Sequence, residues 1–467
     1  MLFQNVYDKT LAQASYFIGC QAHGVAAVID PKRDVDTYID IANQNKMKIT
    51  HIFETHIHAD YLSGSRELAA LTGATMFLSD EGGPDWQYEF AHHGVKDGDK
   101  IMMGNLEFEV MHTPGHTPES ISFLLTDHPA SHEPVMAFTG DFVFVGDIGR
   151  PDLLEKAAGM VGTQEVGAEQ MYNSIQRFAK LPDYIQVWPA HGAGSACGKA
   201  LGAVPSSTIG YEKIANWAFR YGSDKKGFIN YLLEGQPEPP KYFAMMKKLN
   251  KVDRPLLTEV PKLKEYTGQE LLDAMAKGIK VIDTRDIADY GKGYIPGTIH
   301  IQGNNSFSTW AGWFLNYEEP FILIAAPSTH DDLVRKLMRI GLDNIVGYVP
   351  GVEVYTALSK KLDVVKYTDI DQLKSELTNP DVEILDLRGA SEFKSGHIKG
   401  AKHVFVGTIM DNLNKIAKDK KVIIHCQGGG RAQIGYSLLA AHGFDNVYNY
   451  SPGMNEWVLK GERVETH

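Results

Sequence analysis

Two kinds of hydrophobic pattern alternate along this chain. In the first half, short apolar runs at 25–29, 49–53, 106–111, 121–125 and 136–139 are separated by helical patterns, one of them at 65–72. Runs this short that are bounded by polar turns predict buried strands, and their alternation with helices predicts a layered α/β domain. The run Glu234-Gly235-Gln236-Pro237-Glu238-Pro239-Pro240, followed by Asp253-Arg254-Pro255, closes it, because clustered prolines continue neither helices nor central strands.

Past that boundary the sequence repeats itself. Val281-Ile282-Asp283-Thr284-Arg285 returns about 100 residues later as Ile384-Leu385-Asp386-Leu387-Arg388, and Gly293-Tyr294-Ile295-Pro296-Gly297 returns as Gly396-His397-Ile398-Lys399-Gly400. His300 returns as His403, Gly341-Leu342-Asp343-Asn344-Ile345 as Gly443-Phe444-Asp445-Asn446-Val447, and Pro350-Gly351 as Pro452-Gly453. In each copy a continuous apolar run (321–325, 422–425) precedes a helical segment (331–340, 432–442), the pattern of a small parallel-sheet α/β domain. The expected domains are 1–250, including a C-terminal linker, then 256–360 and 361–467.

Composition narrows the function. With 43% apolar and 22% charged residues the 467-residue chain is an ordinary globular protein. Its 46 Lys+Arg against 58 Asp+Glu give a net charge of −12, which argues against a nucleic-acid binder or a protein held to an anionic membrane by basic charge. Small-molecule chemistry is the default. The cysteines Cys20, Cys197 and Cys426 are too few for a disulfide framework, and their odd number points to a reducing compartment. Neither a basic, apolar leader nor an apolar stretch of about 18 residues is present, so the expectation is a cytoplasmic protein with no membrane partner. Cys20, within Tyr16-Phe17-Ile18-Gly19-Cys20, reads as a core residue.

Candidate chemistry gathers at strand ends. The run 49–54 leads into Thr55-His56-Ile57-His58-Ala59-Asp60-Tyr61; later come His112-Thr113-Pro114-Gly115-His116-Thr117, Phe138-Thr139-Gly140-Asp141 and Trp188-Pro189-Ala190-His191-Gly192. Loops leaving the strands of one sandwich can converge, and two histidines two apart can face one cavity as metal ligation requires. His51, His92 and His93 read as ordinary structural residues.

This ordered set resembles the metallo-β-lactamase superfamily over residues 1–235, through the His-x-His-x-Asp run, the Pro-Gly-His-Thr turn, the Thr-Gly-Asp turn and the late Pro-Ala-His. The resemblance implies an αββα sandwich. Its dinuclear hydrolases usually carry a histidine after the first aspartate, where this chain has Tyr61, a poor ligand at neutral pH. That favours one metal. The sequence is most similar to the persulfide dioxygenases, which implies one Fe(II) held by His56, His116 and Asp141, a facial triad with positions left for substrate and dioxygen. His58, Asp60 and His191 then orient ligands or hold water. Gly146-Asp147-Ile148-Gly149-Arg150-Pro151-Asp152 resembles a loop of the same enzymes and makes Arg150 a candidate for binding an anionic thiol carrier. Cys197, six residues after His191, is a candidate sulfur relay.

The last domain carries Cys426-Gln427-Gly428-Gly429-Gly430-Arg431 between a buried strand and a helix. Gly428, Gly429 and Gly430 permit the backbone angles that aim several N–H groups, with that of Gln427, at one point, and such a nest favours a thiolate or an incoming anion. Arg431 adds fixed positive charge. The loop, with Asp386-Leu387-Arg388, Glu392-Phe393 and Pro452-Gly453-Met454, resembles the active site of rhodaneses over 361–467, which makes Cys426 the nucleophile. In the middle copy Ala326 stands at the cysteine position with no arginine at the right spacing, so 256–360 reads as an inactive scaffold.

Together these resemblances imply an Fe(II)-dependent persulfide dioxygenase fused to a thiosulfate sulfurtransferase. Its expected partners are a thiol persulfide, O2, sulfite and thiosulfate, and it would be a homo-oligomer, dimer or tetramer. The alternative is a zinc-dependent, glyoxalase-II-like thioester hydrolase fused to a sulfurtransferase, kept open by His58, Asp60 and His191.

Overall fold

The computed structural model describes residues 1–153, 155, 162–199, 201–236 and 238–466; Pro237 of the expected boundary lies outside them. The chain divides into two compact units, Met1–Val260 with Arg335–Gly341, and Pro261–Val334 with Leu342–His467.

The first unit contains two six-stranded sheets. In one, β1 (Leu2–Asp8), β2 (Gln13–Cys20), β3 (Val25–Ile29), β4 (Lys48–Phe53), β5 (Thr75–Ser79) and β6 (His93–Val95) lie in chain order. The other holds β7 (Lys100–Met103), β8 (Leu106–His112), β9 (Ile121–Asp127), β10 (Met136–Gly140), β11 (Gln186–Pro189) and β12 (Ser207–Thr208), again neighbour to neighbour. Strand alternation builds the layers. Tyr16 and Ile18 of β2 and Ile121, Phe123 and Leu125 of β9 share one buried cluster with Phe53 and Phe138, filling the space between the sheets. Phe17 and Val28 point the other way, onto Tyr38 and Leu68 of helices Asp36–Gln44 and Ser65–Thr72. On the second sheet Leu124 and Ala137 turn outward to Met171, Ile175 and Phe178 of helix Thr163–Phe178. The result is the expected αββα sandwich, and Cys20 packs in its central core. The segment Arg335–Gly341 belongs to this unit: Arg339 forms a two-pronged ion pair with Asp34 at 2.9 and 2.6 Å.

The second unit holds the two repeats, each with a four-stranded, wholly parallel sheet in the same order. In the first repeat β14 (Ile299–His300), β13 (Lys280–Asp283), β15 (Phe321–Ile324) and β16 (Ile345–Val349) are neighbours in that sequence. The second repeat matches it with β19 (Lys402–His403), β17 (Val382–Asp386), β20 (Lys421–His425) and β21 (Val447–Tyr450); β18 (His397–Ile398) pairs separately with β22 (Val464–Glu465). Every residue of β15 is buried, as a parallel strand covered on both faces demands. The repetition reaches individual bonds: His300 Nε2 meets the Arg285 carbonyl at 2.9 Å, and His403 Nε2 meets that of Arg388 at 2.8 Å. Among the described residues no helix is long and apolar enough to cross a membrane.

Candidate functional site

The loops leaving β4, β8 and β10 carry His56, His116 and Asp141, all buried, with ligand atoms within 4.8 Å of one another. His116 Nε2 stands 3.5 Å and His56 Nε2 3.9 Å from Asp141 Oδ2. Neighbours fix each imidazole. His116 Nδ1 faces the Arg150 carbonyl at 2.9 Å and His56 Nδ1 the Thr55 hydroxyl at 3.0 Å, which leaves both Nε2 atoms for the centre. His56 Nε2 and both Asp141 carboxylate oxygens are buried without a hydrogen-bond partner, a cost that a bound cation would offset. Burial pulls His116 down to about 3 and, with the neighbouring imidazoles, holds His56 well below its ordinary range; both therefore sit as neutral ligands. Burial, with the Asp60 carboxylate beside it, pushes Asp141 up to about 6. Two nitrogens and one oxygen form a His/Asp metal-binding cluster.

The structure places His58 elsewhere. Its Nε2 lies 2.9 Å from Glu54 Oε2 and 3.2 Å from Asp30 Oδ1, and these three form a separate cluster. Burial alone would lower the His58 pKa, but Asp30 and then Glu54 raise it well above the ordinary value. Tyr61 does not reach the centre: its hydroxyl bonds the Asp30 carbonyl at 3.2 Å and its ring lies over His58. Asp60 and His191 are brought beside the triad, with His191 Nε2 at 3.2 Å from Asp60 and 3.3 Å from Asp141. Cys197 is buried with them. Burial, then the Asp141 and Asp60 carboxylates, push its thiol pKa well up, so this cysteine holds its proton.

Arg150 departs from its expected role in carrier binding. It is fully buried, its guanidinium grips Asp152 at 2.7 and 2.6 Å, and Nη1 reaches the Ala196 carbonyl at 3.3 Å. With its own carbonyl accepting from His116 and its N–H donating to the Cys197 carbonyl, it braces the centre from behind.

The Cys426 loop follows β20 directly. Cys426 is buried and its Sγ accepts the Gly429 N–H at 3.1 Å, one arm of the expected nest. Gly429 takes φ +97° and Gly453 φ +61°; a Cβ on the latter would stand 2.2 Å from the Cys426 carbonyl oxygen. Met454 N–H donates to that same carbonyl and Asn455 N–H to that of Gln427, so residues 453–455 brace the loop. Gln427 turns its side chain to Asn455 and Arg388. Arg431 forms a two-pronged pair with Glu392, so its charge reaches the loop already half answered. In the middle copy Ala326 begins a short 3-10 turn and offers no nucleophile.

Known proteins match this arrangement piece by piece. The description "Metallo-beta-lactamase superfamily" fits residues 9–191, and "Rhodanese-like domain" fits 267–357 and again 369–460. A solved metallo-beta-lactamase from Staphylococcus aureus subsp. aureus COL is 44% identical, with a TM-score of 0.67, over 75% of this chain and 98% of that one. The chain belongs to the metallo-β-lactamase superfamily. Two rhodanese-like domains follow its sandwich, and the whole is an enzyme of the metallo-hydrolase and ETHE1 group. Within the superfamily it is similar to mitochondrial persulfide dioxygenase ETHE1 of Bos taurus, 29% identical over 41% of this chain and 68% of that protein. It is about as similar to the hydroxyacylglutathione hydrolase of Rhodospirillum rubrum, at 31% over 38% of this chain and 60% of that protein.

Sequence reasoning missed the acidic residues that hold this superfamily site in shape. Asp30 and Glu54 each stand directly after a buried strand, and Glu119 accepts the Ile57 N–H at 2.8 Å with no exposure to solvent. The signal was there: Asp30 and Glu54 terminate apolar runs, where an unpaired carboxylate has no reason to be buried.

Proposed function

We propose that this chain is an Fe(II)-dependent persulfide dioxygenase joined to a rhodanese, oxidising the sulfane sulfur of a low-molecular-weight thiol persulfide. The observation that carries this reading is the pairing, in one chain, of a three-ligand His56, His116, Asp141 triad with a Cys426 loop built to carry sulfane sulfur. The donor set and the orphaned ligand atoms fit one iron, which would supply Lewis-acid and one-electron chemistry toward dioxygen. The overall change is RSSH + O2 + H2O to RSH, sulfite and two protons. His116 and His56 keep Nε2 free through their Nδ1 contacts, and His191 stands between Asp60 and Asp141, close enough to both carboxylates to hold a proton there during turnover. At the second site Cys426 carries a sulfur atom that sulfite removes as thiosulfate, which returns the thiol. The test is oxygen uptake by anaerobically purified, Fe(II)-loaded protein given a low-molecular-weight persulfide, with sulfite and thiosulfate measured in the same vessel. Uptake yielding either product supports the reading; no uptake across several persulfides, with one iron bound, refutes it.

A second reading, zinc-dependent thioester hydrolysis, draws on the Asp60, His191, Cys197 cluster beside Asp141, which offers ligands for a further ion. Metal content after native purification, with thioester turnover, separates the two.

A further inference from the structure

The space around Cys426 is walled on one side by the repeat that has no cysteine. A cavity of about 330 Å³ is lined by Cys426 and Arg431 from the last repeat and by His300, Gln302, Asn304 and Trp310 from the middle one. Sulfite has four heavy atoms, and at ~30 Å³ for each water-sized atom it fills well under half of this volume. The cavity falls instead in the range that takes an organic small molecule.

Its lining states what kind. None of the lining residues is a carboxylate, and Arg431 is engaged by Glu392, so the middle repeat presents neutral donors and acceptors around a paired cation. Those groups are pre-set. Asp286 accepts from the Gln302 amide at 2.7 Å, Gln302 accepts from the Asn304 amide at 3.2 Å, and Asn304 Oδ1 accepts the Ser306 N–H at 2.8 Å. His300 is buried with Nδ1 unpartnered, since its other nitrogen serves the Arg285 carbonyl; it lines the cavity as an acceptor without a donor. Trp310 adds a broad apolar face on helix Phe307–Phe314, which is anchored by Trp313 against Phe405 of the last repeat, ring centroids 5.3 Å apart. Oriented amides beside an indole suit a ligand that carries amide groups and an apolar stretch.

We propose that this cavity seats the organic body of an amide-bearing thiol persulfide, the cysteine-free repeat recognising the carrier while Cys426 takes its sulfur. The proposal rests on the sulfur-transfer reading of Cys426 given above. The Cys426 thiolate attacks the outer sulfur of RSSH; a new S–S bond forms to Cys426, the S–S bond of the donor breaks, and the leaving RS⁻ takes the persulfide's proton as RSH. No oxidant is needed, and the carrier leaves intact.

The test uses the full chain without oxygen, so that only sulfur transfer runs. The rate of Cys426 persulfide formation is measured with glutathione persulfide, an amide-bearing donor, and with inorganic thiosulfate. For Trp310→Ala and for the exposed-site variant Asn304→Ala, the ratio of the glutathione persulfide rate to the thiosulfate rate falls about tenfold, expressed mainly in KM, and Trp310→Phe recovers most of it. An unchanged ratio in both variants, whether both rates hold or both fall together, overturns the proposal. Failure of the sulfur-transfer reading itself looks different: the unsubstituted protein then forms no Cys426 persulfide from either donor.

Discussion

Replacing Gly453 with alanine probes how closely the Cys426 loop is braced. The added methyl would stand 2.2 Å from the Cys426 carbonyl oxygen, where real side chains keep at least 3.0 Å, so the segment bearing the nucleophile must move by ~0.8 Å. It has little room to yield, because Met454 N–H holds that same carbonyl at 2.9 Å. Displacements of about 1 Å at a reacting group cost on the order of 100-fold in rate, so sulfur transfer from thiosulfate should fall by about 10- to 100-fold. The backbone strain of a left-handed alanine adds ~1–2 kcal/mol of destabilisation. Gly443→Ala isolates that strain: its φ is +75° but nothing lies within 4 Å of the new methyl. The Gly443 variant should lose comparable stability in urea yet transfer sulfur at the normal rate. The assay is anaerobic thiosulfate turnover, with the mass of the Cys426 peptide reporting the trapped persulfide. Equal rates for the two variants would refute the argument that the Gly453 contact sets the position of Cys426.

Other substitutions separate the two chemistries. His116→Ala removes one ligand of three, so bound iron and oxygen uptake should be lost while thiosulfate turnover persists; loss of both activities would contradict independent sites. Cys426→Ser should abolish sulfur transfer and leave sulfite as the end product of persulfide oxidation, and undiminished thiosulfate formation would remove Cys426 from the mechanism. Arg150→Ala takes the two-pronged guanidinium from the buried Asp152 carboxylate, so it should cost about 3–5 kcal/mol in chemical denaturation; a stable protein with only a raised KM for persulfide would restore Arg150 to substrate binding.

What the sequence revealed and what it hid follow from how local each feature is. His56, His116, Asp141 and His191 each follow a short apolar run, so strand and ligand are read together from a few neighbouring residues. The turn of His58 away from that group depends on Asp30, which arrives from the end of β3, and no spacing within Thr55–Tyr61 reports it. Arg150 was misleading for a different reason: an arginine in a glycine-rich loop looks free to bind an anion, yet Asp152, two residues on, claims the guanidinium. The repeats were legible down to His300 and His403, because a duplicated fold duplicates its internal bonds. The middle repeat nevertheless read as a scaffold, since the loss of its cysteine is visible in one line of sequence, whereas its Gln302 and Trp310 meet Cys426 only in three dimensions.

The hold on His58 decides whether that ring can join a metal centre. To serve an ion at the triad it must leave Asp30 and Glu54, and two buried carboxylates would lose the imidazole between them. Breaking such a buried pair costs about 3–5 kcal/mol, and neither carboxylate is free to follow the ring. Asp30 is held by the Thr55 N–H at 2.7 Å and its hydroxyl at 2.8 Å, and Glu54 by the hydroxyls of Ser63 and Ser65. His58 and Tyr61 are therefore held away from the triad, while Asp60, His191 and Cys197 stand together beside Asp141. A single zinc could still hydrolyse a thioester from such a triad, so the count alone does not choose between the readings. The rest of the chain supports the proposed one. Thioester hydrolysis yields a carboxylate and a thiol, and neither carries nor accepts a sulfane sulfur, so the braced Cys426 loop would have nothing to exchange with its neighbour. Persulfide oxidation yields sulfite, the acceptor that a Cys426 persulfide needs, and consumes the same persulfide that can load Cys426. Only the second chemistry gives both catalytic sites a shared set of substrates.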